Sequence, residues 1–349
     1  MSEVSVMNTR SLEVSVIIKA LNEEEHIASA VESALRATKG LRGEVILADS
    51  LSTDRTVEIA KAYPIHIVQL VNPEDRCCGV GPQLGYQHAR GDFIYILDGD
   101  MELEPEFLKA AIAVMRERGE LAGVGGQVRI VGGRSYEFAM RKERASSVFS
   151  PGPKEALECG GLYRRAALEQ VGYFSNRNLH AFEEKELGLR LTHQGWRLER
   201  LAQPAVLHHV HQDDSVGLMR KRWRSHYVDG CGELIRASWG KPYFWRALRT
   251  QKMRLVTLAG WLVWLLGLLL LPWTYWGVVL ALGTTSAGLL LLLVRKGSFE
   301  EGMHGFMNLQ IYAAGFVRGF LAPQVCPTHK IQCQMLANGD ASDIADRDS

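Results

Sequence analysis

The sequence predicts an α/β domain built on a doubly wound parallel sheet, followed by a C-terminal helical hairpin apolar enough to span a membrane. Three observations carry this. Along the N-terminal part, short β-rich runs alternate with helical patterns, the rhythm of strand–helix–strand units. Acidic residues fall directly after two of those strands, where open α/β sheets bind their ligands. Near the C-terminus, residues 255–271 and 277–294 contain no charge and are separated by Pro-Trp-Thr-Tyr-Trp at 272–276.

The elements follow in order. Residues 14–18 (VSVII) read as a buried strand and residues 23–35 as a helix. Residues 44–48 (EVILA) are a second strand; Ser52 and Thr53 then stand at a helix N-cap position, with a helix through Ala62. Residues 65–70 give a third strand and residues 83–89 a helix. A fourth strand, 92–97 (DFIYIL), runs into Asp98-Gly99-Asp100.

Composition limits the function classes. The chain has 349 residues, 40 Lys+Arg against 39 Asp+Glu, a net charge of +1, and 47% hydrophobic residues. That is too apolar and too neutral for a disordered chain, and too neutral for a surface built on nucleic acid; no nucleic-acid partner is expected. The six cysteines (Cys77, Cys78, Cys159, Cys231, Cys326, Cys333) show no C-x-x-C spacing, which argues against a zinc ribbon or a disulfide scaffold and for reduced thiols in the cytosol. The first 25 residues carry charges and no apolar stretch of secretory length.

A single helix through residues 255–294 would be about 60 Å long, twice the hydrocarbon thickness, so two crossings with a turn are expected. Trp273, Tyr275 and Trp276 then fall at the far interface. Arg246, Arg249, Lys252 and Arg254 precede the pair, and Arg295 and Lys296 follow it, which places both outer ends at the cytoplasmic face of the inner membrane. A hairpin that dips without crossing, or one buried in a soluble protein, is the alternative. From Arg220 to Arg254 ten basic residues face only Asp229 and Glu233, a balance that suits an anionic leaflet. Phe306, Leu309, Tyr312, Ala313, Phe316 and Phe320 then mark an amphipathic helix, lying on the membrane or packed on the catalytic domain; Arg318 argues against a third crossing. The expected organisation is a tail (1–12), the α/β domain (13–225), a basic juxtamembrane segment (226–254), the hairpin (255–294), an amphipathic region (295–335) and a disordered tail (336–349).

Neither G-x-G-x-x-G after the first strand nor G-x-x-x-x-G-K-[ST] is present. Asp98 and Asp100, two apart around a glycine, can converge on Mg²⁺ or Mn²⁺, though a D-G-D is also an ordinary turn. Glu183 and Glu184 open the helical run EEKELGLRL, in which Glu186 and Arg190 can pair and Leu187 and Leu191 can face a core. One of the two acids can serve as a general base; the alternative is stabilisation of the helix dipole. Among His208, His209 and His211, a metal-associated histidine, taken as His209, stands against strand-end packing. Arg220 and Arg222 can neutralise a phosphate leaving group, and Trp223 can stack on a sugar or pack toward the membrane.

Taken in order, VSVIIKALNEEEHI, ILADSLSTDRTVEIA, the G-x-x-x-G-x-x-x-A-x-G-D-x-x-x-x-L-D-x-D run at 81–100, MELEPEFL, CGGLYRR and FEEKELGLRL make the chain resemble the family-2 glycosyltransferases of GT-A fold. The resemblance implies inverting sugar transfer from a nucleotide-diphosphate sugar, with uridine the usual base, to a lipid-linked or glycan acceptor at the cytoplasmic membrane in cell-envelope polysaccharide synthesis. It implies that Asp49 contacts the base, that Ala20, Asn22 and Glu23 line the nucleotide pocket, and that Asp98 and Asp100 hold a divalent cation on the diphosphate. Glu184 stands where the family has the aspartate of E-D-x-E-L, and its extra methylene leaves Glu183 or Glu184 open as the base. Arg220, Arg222 and Trp223 match the family's Q-x-x-R-W loosely; its glutamine is absent, which counts against a processive synthase. Lys19 and Leu21 replace the usual Pro/Thr and Tyr.

Overall fold

The computed structural model describes residues 12–132, 148–209, 215–296 and 298–339. The chain divides into two compact units. The first comprises the described residues of Met1–Asn178, Glu183–Ser215 and Val325–Ser349, the second those of Leu179–Phe182 and Val216–Gln324.

The first unit is organised on a ten-stranded sheet. Its centre is β1 (Val14–Ala20), β2 (Gly43–Asp49), β3 (His66–Leu70) and β4 (Phe93–Asp98), parallel neighbours in the order β3-β2-β1-β4. Between them run α1 (Ile27–Thr38), α2 (Thr56–Ala60) and α3 (Val80–Tyr86). β1 is apolar almost throughout because both of its faces are covered. Val14, Val16 and Ile18 pack with Ile27 and Val31 of α1, while Ile17 packs with Leu84 of α3.

The expectation of a parallel sheet holds for those four strands and for one later pair, and the sheet as a whole is mixed. β5 (Met101–Leu103), β6 (Leu121–Val131), β7 (Gly152–Lys154), β8 (Gly161–Arg164), β9 (Arg197–His209) and β10 (Cys333–Ala337) make the sheet mixed. β8 lies antiparallel to β4 and β6, β9 parallel to β6, β5 and β7 antiparallel to β9, and β10 antiparallel to β3. Helices separate β5 from β6 and β8 from β9 as well, but these successive strands are not neighbours in the sheet, so their connections build no parallel pair of the βαβ kind. α4 (Phe107–Glu117), α5 (Arg165–Gln170) and α6 (Glu183–His193) complete the unit.

The glycines of the 81–100 run have a packing reason. A Cβ on Gly85 would overlap the side chain of Ile17, and one on Gly81 would come within 3.0 Å of Lys19 Cβ, so α3 lies directly on β1. Gly85→Ala is expected to cost about 1–3 kcal/mol by overpacking, read as a lower thermal midpoint.

The second unit is helical: α7 (Ser215–Arg224), a 3-10 turn (Tyr227–Asp229), α8 (Gly230–Ala237), α9 (Phe244–Thr250), α10 (Lys252–Leu269), α11 (Trp276–Lys296) and α12 (Phe299–Leu321). α10 and α11 pair as the expected hairpin. Trp264 Nε1 donates to Thr285 Oγ1 at 2.8 Å, and the backbones approach at Gly267 and Gly277, where a Cβ on the first would lie 2.8 Å from the second. Both are long and apolar enough to cross a bilayer, with mean hydropathy 1.5 and 2.2 over their spans, and only 6% of each span is buried. α10, about 27 Å long, matches the hydrocarbon thickness.

Two boundaries differ from expectation. The amphipathic helix ends at Leu321, and Ala313 and Phe316 are buried as it packs on α8, where a Cβ on Gly232 would overlap the Phe316 backbone. Residues 325–339 belong to the first unit, and the proposed tail begins inside β10, whose Met335 pairs with Val68. Edge pairing between segments about 270 residues apart leaves no local signal. Residues 340–349 of that tail and residues 1–11 lie outside the described residues.

Candidate active site

The site lies at the carboxyl ends of β1, β2 and β4. Parallel register puts Lys19 beside Asp98 and Ala20 beside Asp49, so the three strand ends deliver their polar residues to one edge.

Asp49 is fully buried and held by three hydrogen bonds. Ser52 N–H (3.0 Å) and Gln69 Nε2 (2.8 Å) donate to Oδ2, and Ser52 Oγ donates to Oδ1 at 2.5 Å. Ser52 is therefore the partner of Asp49 and not a helix cap; α2 starts later, at Thr56. The loop after β1 is laced to the loop after β2. Asn22 N–H donates to Ser52 Oγ (2.9 Å), Thr53 N–H to Asn22 Oδ1 (2.7 Å), and Glu23 N–H to Thr56 Oγ1 (2.8 Å). Asn22 and Leu51 take left-handed backbone, φ 58° and 64°, in making this turn. Ala20, Asn22, Glu23 and Asp49 thus form one ordered wall.

A second group gathers around Lys19, which motif comparison registers only as a departure. Its Nζ lies 3.1 Å from Asp98 Oδ1 and 3.4 Å from Glu183 Oε1. Burial pulls the Lys19 pKa down, but Asp98, Glu183 and Glu184 outweigh it, and the ammonium is held well above its ordinary value. Burial raises Asp98, with the charge of Asp100 adding and Lys19 opposing. Glu184 is pushed well above the carboxylate range, first by burial, then by Glu183, Asp98 and Glu158, again against Lys19.

Glu183 and Glu184 begin α6, as the run EEKELGLRL predicts. Glu186 and Arg190 make the expected pair (2.9 Å), Arg190 donates further to the carbonyls of Tyr173 and Phe174, and Leu187 and Leu191 are buried. Those anchors fix the start of the helix. Phe182, directly before it, is in left-handed backbone at φ 68°, a strained conformation for a bulky residue.

His209 is not the neighbour of the acidic pair. His208 Nε2 lies 3.2 Å from Asp100 Oδ2, whereas His209 Nε2 lies 2.8 Å from Glu102 Oε1 and its ring stacks on His26. Adjacent strand residues face opposite sides of a sheet, so β9 can send only one of the two toward Asp100. His211 lies outside the described residues. Among the described residues no three His, Cys, Asp or Glu side chains converge as a metal cage. The Asp98–Asp100 corner offers hard oxygens, a donor set of the kind a divalent cation such as magnesium or manganese takes.

Arg220, Arg222 and Trp223 lie on α7 and, with it, in the second unit. Arg222 sits 5.5 Å over the Tyr227 ring and Arg318 4.0 Å over the Trp223 ring.

The glycosyl transferase family 2 model matches residues 15–172. "Putative glycosyltransferase EpsE" of Bacillus subtilis (strain 168) is 31% identical over 213 residues, 58% of this chain and 74% of that protein. The dolichol-phosphate mannosyltransferase of Pyrococcus furiosus is 27% identical over 115 residues, and the match covers 32% of each chain. Among solved structures, mannosyltransferase PcManGT from Pyrobaculum calidifontis, in complex with GDP-Man and Mn²⁺, superposes with TM-score 0.56 at 17% identity over 90% of this chain and 88% of that one, a likeness of fold. The mixed α/β sheet is a GT-A fold and the protein is a glycosyl-transfer enzyme. The chain belongs to glycosyltransferase family 2.

Proposed function

We propose that the protein is an inverting glycosyltransferase that moves a sugar from a nucleoside-diphosphate sugar, UDP-linked in the first instance, to a lipid-linked saccharide presented at the cytoplasmic face of the inner membrane. The observation that carries this reading is the grouping of Asp98, Glu183 and Glu184 around Lys19 at the edge where β1 and β4 end.

In this reading Asp49 receives the base, and Ala20, Asn22 and Glu23 line the nucleotide pocket. Asp98 and Asp100 would hold a divalent cation, magnesium or manganese, which when bound offsets the negative charge of the leaving diphosphate. Arg220, Arg222 and Trp223 keep the donor role that the motif implies. Lys19 occupies Glu183 in an ion pair, so Glu184 is the carboxylate that takes the acceptor hydroxyl proton. Its raised pKa brings it closer to the pH at which it works, as general-base catalysis favours. The two apolar helices and the basic residues outside them support an anchor with its outer ends in the cytoplasm.

A polyprenyl phosphate acceptor is the second reading, favoured by the similarity to a dolichol-phosphate mannosyltransferase. The test of both is a screen of nucleotide sugars with membrane lipids and Mg²⁺ or Mn²⁺, scored by released nucleoside diphosphate. Failure of every donor, with and without lipid, overturns the transferase reading and favours a membrane-anchored nucleotide-sugar binder. Asp49→Asn, which replaces one of the two acceptor oxygens that Ser52 and Gln69 donate to at the wall of the base pocket, is expected to weaken UDP binding about tenfold by calorimetry.

A further inference from the structure

Among the histidines of the second unit, His180 and His226 lie side by side and are left unused by the transfer chemistry. His180 Nδ1 lies 2.8 Å from Glu233 Oε1, and the His180 N–H donates to Glu233 Oε2 at 2.8 Å. His226 Nδ1 lies 2.9 Å from Asp229 Oδ2, with the residue in left-handed backbone at φ 60°. Both carboxylates are buried, Glu233 at 4% and Asp229 at 2% exposure, while the two imidazoles are 24% and 53% exposed. The ring centroids are 5.4 Å apart.

A buried carboxylate on Nδ1 fixes that nitrogen as a donor and leaves Nε2 as the nitrogen each ring has for a ligand. Among the described residues neither Nε2 makes a hydrogen bond. Arg318 joins the same network, its Nε 2.6 Å from Asp229 Oδ2 and its guanidinium over Trp223. The negative groups are therefore sunk in the unit, and the partly exposed groups in front of them are a guanidinium and two imidazoles. An imidazole that carries both ring protons donates from Nε2 as well as from Nδ1. Such a surface fits an anion rich in acceptor oxygens. It does not make a metal cage, since two ring nitrogens are too few and among the described residues no third ligand converges with them.

We propose that His180 and His226, with the charge of Arg318 beside them, bind the phosphate group of the acceptor lipid. This rests on the reading of a membrane-presented, lipid-linked acceptor and adds the group by which the lipid is recognised, since lipid-linked saccharides and polyprenyl phosphates share a phosphate. His180 stands three residues before Glu183 in the chain.

The test is calorimetry of the detergent-solubilised full chain titrated with micellar polyprenyl monophosphate, with micellar polyprenol, and separately with inorganic phosphate. The wild type is expected to prefer the phosphorylated lipid over the alcohol by about tenfold or more. Asparagine keeps an N–H where Nδ1 donates but lacks Nε2, so H180N/H226N is expected to lose that preference while UDP affinity and thermal midpoint are kept. Should the double variant fold poorly, His226→Asn alone, at a half-exposed ring, is expected to lose several-fold in the same preference. A phosphate preference that survives these variants overturns the site and leaves the lipid acceptor standing. Inorganic phosphate binding that depends on the histidines, without any preference for the lipid phosphate, upholds the site and overturns the lipid acceptor.

Discussion

Glu184→Gln is expected to lower kcat by about 10²- to 10⁴-fold, the range that a positioned general base contributes, with little change in nucleotide affinity. The amide keeps the size of the side chain and loses only the ability to take a proton. Glu183→Gln is expected to do less to the chemical step, because Glu183 faces Lys19 at 3.4 Å. The pH dependence has a definite sign. A carboxylate whose pKa is raised is ionised, and so able to accept a proton, only at pH above that raised value. The acid limb of kcat against pH is therefore expected above the ordinary carboxylate range, and Glu184→Gln should abolish it. Near-wild-type turnover of Glu184→Gln would sink the base assignment and favour a polyprenyl phosphate acceptor, whose oxygen is already ionised.

Lys19→Met is the second large effect. It removes the ammonium that touches both Asp98 and Glu183 and leaves both carboxylates without it in a mostly enclosed site. The expected loss of stability is about 1–3 kcal/mol, read from the thermal or denaturant midpoint at neutral pH. A second readout separates this role from simple packing. Lys19 opposes the upward shift of Glu184, so its removal moves the Glu184 pKa further up and carries the acid limb of the rate profile to higher pH. An unmoved acid limb in a folded Lys19→Met protein would mean that the ammonium does not act on the base.

These two residues show how unevenly the site was legible in sequence. The helix start at Glu183 and Glu184 is legible because acids at the start of a helix, Leu187 and Leu191 four apart, and the Glu186–Arg190 pair are all local patterns, and the structure keeps every one of them. Lys19 looked only like a misfit after the first strand. Its partner Glu183 is 164 residues away, and nothing in the spacing of either announces the other. His208 and His209 were a nearer miss: the sequence offered both, and only the pairing of β9 with β5 decides which ring faces Asp100.

The sequence by itself determined the early strand–helix alternation, the acids at the strand ends, the start of the acid-bearing helix and the apolar hairpin. Each of these depends on periodicity or composition over fewer than about twenty residues, where backbone geometry and solvent preference act locally. Only the tertiary structure decided that the sheet is mixed, that residues 333–337 return to its edge beside β3, that Lys19 sits among the carboxylates, and that Glu233 and Asp229 stand behind two histidines. Those are contacts between faces and edges brought together by chain closure, and their energies depend on burial and charge at a place that no single segment encodes.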